Sequence, residues 1–226
     1  MQDGVSRYSK RNICNSKFFW CPVEDILISR TIMEGPIALD VVTVGDMAVG
    51  KTALCVACKS GEFLEVTSPT VLKNRRATIV MEGTIYNLSL WDTSGCANFD
   101  SLRSAFYPCT KVFLVAFSVV DRTSFKNVIA KWIPEIRHHC RNPNILLVGT
   151  KIDLRNDPDI LEELFEERSK PLEPAEGVRL AEEIGAVRYM ECSSRTKEGV
   201  CNVFCEAIKI FLKQDAPEST IRDVLK

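Results

Sequence analysis

The string Gly45-Asp46-Met47-Ala48-Val49-Gly50-Lys51-Thr52 constrains this chain more than any other feature. It fits G-x-x-x-x-G-K-[ST], in which a glycine-rich turn lets successive backbone N–H groups point at one anion. The pattern demands a setting. A strand must lead into it and a helix must open from it, so that the helix N-terminus adds its own donors and partial charge. Ile37 to Val44 is a β-branched run that ends in the loop, and Ala53 to Cys58 reads as a helix. In that setting the loop cradles phosphates, Lys51 reaches the β- and γ-phosphates, and the Thr52 hydroxyl ligates Mg²⁺.

The remainder repeats the alternation. Thr78 to Val80 and Tyr86 to Trp91 form an expected hairpin around Glu82-Gly83. Val112 to Val119 and Ile145 to Val148 are short continuous apolar runs, as expected of strands buried on both faces. Between them, Phe125, Val128, Ile129, Trp132 and Ile136 recur at helical spacing, with Pro134 set to kink that helix. A charged helical piece at Ile160 to Arg168, a helix at Glu176 to Ile184, a strand at Tyr189 to Cys192 and an amphipathic helix at Val200 to Lys213 complete the pattern. These elements predict an α/β fold: a mostly parallel six-stranded sheet with helices on both faces and ligands beyond the carboxyl ends of the strands.

At 226 residues the chain suits one domain with a full core. Basic and acidic side chains number 29 and 30, so net charge gives no reason to expect nucleic acid. Of the ten cysteines, Cys55 and Cys58 form a C-x-x-C inside the helix after the phosphate loop. Buried thiols of a reducing cytosol explain them better than a redox or zinc pair. Residues 1–36 differ from the rest: Arg7, Lys10, Arg11 and Lys17 precede Phe18-Phe19-Trp20-Cys21-Pro22, and Glu24, Asp25 and Arg30 interrupt any membrane span or signal core. They are read as a flexible N-terminal extension, with two alternatives: a membrane anchor through lipidation of Cys14 or Cys21, or a segment bypassed by initiation at Met33.

A phosphate loop does not choose a base. That choice rests on Thr150-Lys151-Ile152-Asp153, directly after an apolar strand. An aspartate there accepts N1–H and N2–H of guanine, a donor pair adenine lacks, while the Lys151 stem lies against the purine. After the last strand, Cys192-Ser193-Ser194, followed by Arg195, offers backbone donors to the guanine O6. Trp91-Asp92-Thr93-Ser94-Gly95 ends another strand. Asp92 there can hold a Mg²⁺-bound water and the Gly95 N–H can meet a γ-phosphate. Thr70, after Pro69, can complete the Mg²⁺ shell in the GTP state. The expected metal site is therefore Thr52, Thr70 and Asp92, and the expected ligands are GTP or GDP with Mg²⁺.

Taken together, residues 37 to about 213 resemble a Ras-superfamily small GTPase of the Rho family. Phosphate loop, Thr70, W-D-T-x-G, T-K-x-D and the C-S-x element carry the resemblance. So do Ser104-Ala105-Phe106-Tyr107-Pro108, Lys131-Trp132-Ile133-Pro134-Glu135 and Tyr189-Met190-Glu191-Cys192-Ser193. The charged stretch Asn156–Lys170 sits where Rho proteins carry an insert helix. The resemblance implies a P-loop G domain and a cytoplasmic switch in signal transduction and cytoskeleton regulation. It implies effector contact through segments 63–76 and 95–108, with exchange factors as further partners. It also implies that Phe63 stacks on the guanine.

Four departures from the family bear on mechanism. Cys96 follows Gly95 where the family has a glutamine that orients the attacking water, and a thiol cannot replace an amide there. Met47 stands at a loop position usually held by glycine, where bulk projects towards the γ-phosphate and the approach of an arginine finger. The segment Val71-Leu72-Lys73-Asn74-Arg75-Arg76 is basic where Rho proteins are acidic and aromatic, which acts against the usual partners, and Thr67 replaces a tyrosine. The chain ends Ile221-Arg222-Asp223-Val224-Leu225-Lys226, a 214–226 tail in which no prenylation motif is expected.

The leading expectation is a GTP-holding switch with slow hydrolysis, Thr70 and Cys96 being the residues at the catalytic positions. A fully competent cycling GTPase is the alternative, and single-turnover hydrolysis separates the two. A P-loop kinase would need an acceptor site and has no use for T-K-x-D. A scaffold that binds nothing does not explain Lys51, Thr52, Asp92 and Asp153 together.

Overall fold

The computed structural model describes residues 35–63 and 70–215. The readings made on the extension (Cys14, Cys21, Met33), on Thr67 and on the tail beyond Asp215 lie outside those residues. β1 (Ile37–Val44) runs into the phosphate loop and α1 (Lys51–Ser60) opens from it. The antiparallel hairpin β2 (Leu72–Met81) and β3 (Thr84–Thr93) follows. Then come the short α2 (Asp100–Ser104) and the wholly buried β4 (Val112–Ser118). α3 (Arg122–Asn127), α4 (Ile133–His139) and β5 (Ile145–Thr150) lead to α5 (Pro158–Glu166), α6 (Pro174–Glu183), β6 (Arg188–Glu191) and α7 (Val200–Asp215).

The six strands form one sheet in the order β2-β3-β1-β4-β5-β6, parallel except for β2. Alternate side chains of β1 separate the two cores. Leu39 and Val41 join the layer under α1 and α7, whereas Val42 and Val44 join the layer with Val128, Trp132, Ile136 and Leu180. β1 lies between β3 and β4, so connections leave it in opposite directions and open a crevice at the carboxyl end of the sheet.

Two expectations change in detail. β2 starts at Leu72 rather than near Thr78, so the basic segment 72–76 is itself an edge strand. The helix expected from Ser124 to His138 is interrupted by a π-helical turn, Val128–Trp132, in which the Ile133 N–H returns to the Val128 carbonyl. Pro134 is the second residue of α4, where a missing N–H costs little, and the wide turn just before it absorbs the change. Asp157 caps α5 by accepting from the Asp159 and Ile160 N–H groups, in the stretch where an additional helix was expected. Cys55 and Cys58 are free, buried core side chains, and burial pushes the Cys55 thiol up to about 12. Among the described residues no helix is long and apolar enough to cross a membrane.

Candidate nucleotide site

Gly45 begins the phosphate loop with φ +143°, and a Cβ there would lie 2.1 Å from the Ala116 carbonyl oxygen of β4. Only glycine lets the loop leave the sheet this closely. Lys51 folds back, its Nζ donating to the carbonyls of Gly45 at 2.8 Å and Asp46 at 2.5 Å. Burial lowers its pKa to about 8, against the pull of Asp92 and Asp46. Such a lysine is desolvated and aimed along the loop, where a phosphate would stabilise its charged form.

Asp46 does more than lend its backbone. Its Oδ1 accepts from Trp132 Nε1 at 2.8 Å and its Oδ2 from Asn127 Nδ2 at 2.6 Å. The loop is thereby fastened to α3 and the turn behind it. Thr150 is likewise a brace: its Oγ1 lies 2.5 Å from the Val49 carbonyl oxygen and 2.9 Å from that of Phe117, its one proton shared between them, tying β4 and β5 to the loop. Met47 is 60% exposed, and Ala48 adopts a left-handed φ of 60°.

The side chains of Thr52, Thr70 and Asp92 lie together. The Thr52 hydroxyl donates to Asp92 Oδ1 at 2.9 Å and lies 2.9 Å from the Thr70 hydroxyl. Asp92 is fully buried, which raises its pKa, while the Thr52 bond, Arg75 and Lys51 oppose that rise. Its other oxygen, Oδ2, has no hydrogen-bond partner among the described residues. Two hydroxyls and a buried carboxylate oxygen are hard donors of the kind Mg²⁺ takes, so the residues present fit that ion.

Gly95 lies directly against the loop. A Cβ on it would meet the Asp46 carbonyl carbon and the Met47 nitrogen, each at 2.5 Å. The Cys96 N–H donates to the Ser94 hydroxyl at 3.2 Å, and Arg103 holds the Ser94 carbonyl through Nη1 at 2.6 Å. Arg103 is 1% exposed, stacks 4.8 Å over the Trp132 ring, and forks onto Glu135 at 2.8 and 2.7 Å. Nothing in the sequence pattern marked Arg103; an arginine in a short polar helix reads as surface.

At the other end of the crevice, Lys151 adopts a left-handed φ of 61° and Asp153 sits in the 3₁₀ turn Ile152–Leu154. Burial lowers the Lys151 pKa, opposed by Asp121 and Asp153. The Ile152 N–H reaches the Cys192 carbonyl at 3.4 Å, so the T-K-I-D and C-S-S loops are neighbours. Ser193 and Ser194 are buried and Arg195 is exposed. Ser193 is used within its own loop: its hydroxyl accepts from the Thr196 N–H at 3.0 Å and its N–H donates to Glu198 at 2.9 Å. A second unforeseen brace supports this end, where Arg155 forks onto Glu191 at 2.9 and 2.6 Å. Phe63 is exposed.

A phosphate loop at the switch point of a parallel sheet, with a metal-type oxygen cluster on one side and two joined loops on the other, defines a P-loop G domain. The Ras family model matches residues 40–213. The chain belongs to that family, the small GTPases that bind guanine nucleotides, generally with Mg²⁺, as signalling switches.

Proposed function

We propose that the chain is a Rho-like switch, with residues 37–213 as its G domain and α5 as the Rho-type insert, and that it holds GTP and hydrolyses it slowly. The observation that carries the slow step is the contact of Gly95 with the Asp46–Met47 peptide. Two of the four departures, Met47 and the Cys96 that follows Gly95, are therefore close together, beside the Gly45 and Asp46 carbonyls that Lys51 holds. An amide following Gly95 could both accept from and donate to an attacking water; the Cys96 thiol does neither well. A thioether chain at Met47 fills the approach that an activating arginine would take.

The other roles follow from the placement of the chain's own groups. Lys51 and the loop N–H groups bind phosphate, and Asp153 accepts from the guanine edge, with Lys151 along the ring. Mg²⁺, held by Thr52 and Thr70 with Asp92 behind, would neutralise charge on the β- and γ-phosphates. Thr70 and Gly95 would sense the γ-phosphate and order segments 63–76 and 95–108 for effectors. The exposed Lys73 and Arg76 on edge strand β2 favour acidic partner surfaces over those complementary to an acidic strand.

Single-turnover hydrolysis of GTP-loaded protein tests the reading. The wild type should be slow, and Cys96→Gln combined with Met47→Gly should raise the rate at least about tenfold, which is about 1.4 kcal/mol off the barrier. A wild-type rate equal to that of the double variant would establish the cycling GTPase instead.

A further inference from the structure

The basic strand β2 does more than face partners. Lys73, Asn74 and Arg76 are exposed, but Arg75 is turned inward, its side chain only 19% exposed. Arg75 Nε lies 3.7 Å from Asp92 Oδ2, and among the described residues neither atom has a hydrogen-bond partner. The pair is close enough to attract and too far apart to bond. Asp92 is the carboxylate whose other oxygen holds Thr52. One buried anion is therefore addressed from two sides, by Thr52 with Thr70 and by a fixed guanidinium. Lys73 adds a second positive charge, standing opposite Asp92 in the β2–β3 register.

A carboxylate shared with a permanent cation is a weaker partner for a divalent ion. The guanidinium neutralises part of the charge that attracts the metal and repels the metal directly. Arginine cannot remove this effect by losing its proton. We propose that Arg75 is a built-in competitor for the divalent-cation site, lowering its affinity for Mg²⁺ and making retention of bound nucleotide depend on a higher Mg²⁺ concentration than Thr52, Thr70 and Asp92 alone would require. The inference rests on the guanine-nucleotide reading above and adds a property to it: a switch sensitised to exchange through its metal.

The test loads the full chain with fluorescent GDP and follows its release at stepped concentrations of free MgCl₂. Arg75→Gln should lower the half-saturating Mg²⁺ about tenfold, equivalent to about 1.4 kcal/mol. Arg75→Lys, which keeps the charge, should stay within about threefold of wild type. Equal midpoints for wild type and R75Q, or an equal shift in R75K and R75Q, would overturn the proposal. Should R75Q fail to fold, Lys73→Gln applies the same electrostatic argument from the strand surface. A two- to threefold lowering is then expected, and none would refute it. Failure of the wild type to bind fluorescent GDP even at high MgCl₂ would overturn the guanine-nucleotide reading and this inference with it. Binding with unchanged midpoints would overturn only the role of Arg75.

Discussion

Replacing Arg103 with methionine tests whether a buried charge fastens the segment after Gly95 to the body of the domain. The guanidinium is 1% exposed and donates to four groups: Glu135 through two nitrogens, Asp100 at 2.5 Å, the Ser94 carbonyl at 2.6 Å, and the Cys96 carbonyl at the 3.5 Å limit. Breaking a buried pair by removing one partner costs roughly 3–5 kcal/mol. Two observations reduce that figure. Glu135 is 14% exposed and keeps the Tyr107 hydroxyl at 2.5 Å, so it is not stranded. Asp100 is 47% exposed and contributes little. Methionine retains most of the apolar stem over Trp132. What remains is the fork onto Glu135 and a charged donor to Ser94, together about 3 kcal/mol. For a domain of this size that is a fall of about 6–12 °C in melting temperature. Calorimetry of the GDP-bound protein at fixed excess GDP and MgCl₂ reads it, since bound ligand alone shifts the midpoint. Arg103→Met with Glu135→Leu should lose at least about 1 kcal/mol less than the two single changes summed. A fall under about 2 °C for R103M, or strict additivity in the double variant, would refute the assignment.

Two further outcomes are expected. Asp46→Ala removes the acceptor of Trp132 Nε1 and Asn127 Nδ2 and leaves a buried indole N–H unpaired; destabilisation of about 2 kcal/mol should accompany a changed tryptophan near-ultraviolet signal, and an unaltered signal would count against the link. Because burial holds Lys51 near pKa 8 while a bound phosphate would favour its charged form, nucleotide binding takes up a proton above that pH. Affinity for GDP should therefore be flat below pH 8 and fall by up to about tenfold per unit above it; calorimetric titration showing no fall between pH 8 and 9.5 would contradict the placement of Lys51 at the phosphates.

What could be read from the chain follows from what each signal rests on. The phosphate loop was legible because its chemistry depends on local backbone, and Gly45 and Lys51 are local requirements. β4 and β5 were legible because strands buried on both faces become continuous apolar runs. β2 was cut short because Lys73, Arg75 and Arg76 obscure the alternation of an edge strand, whose pairing with β3 is decided across the hairpin. The turn at Val128–Trp132 was read only as a kink, since periodicity cannot distinguish a proline bend from a widened helical turn. The bracing roles of Arg103, Glu135, Arg155 and Glu191 escaped notice for a common reason. A charged residue on a helix or strand end is solvated in most proteins, and only the tertiary fold buries these beside their partners. Thr150 and Asp46 were assigned to the ligand, yet their side chains hold protein, Thr150 the loop's Val49 and Asp46 the helices behind it.

The departures and the braces divide the crevice into two ends. Around Asp153 and Cys192, the T-K-I-D and C-S-S loops touch and the Arg155–Glu191 fork backs them. Ser194 and Arg195 are expected to serve the base through backbone groups, so their side chains are not what that end depends on. At the other end, Met47 meets Gly95, Cys96 follows it, and Arg75 leans on Asp92 beside Thr52 and Thr70. Met47, Cys96 and Arg75 thus collect at the end where the third phosphate and the metal would be handled, apart from the loops expected to hold the base. A chain losing nucleotide binding would show damage at both ends, and in Lys51 first. Under the proposed function, changes confined to one end are expected to alter how long a nucleotide stays and in which form, which makes hydrolysis and Mg²⁺ dependence the two measurements that test it.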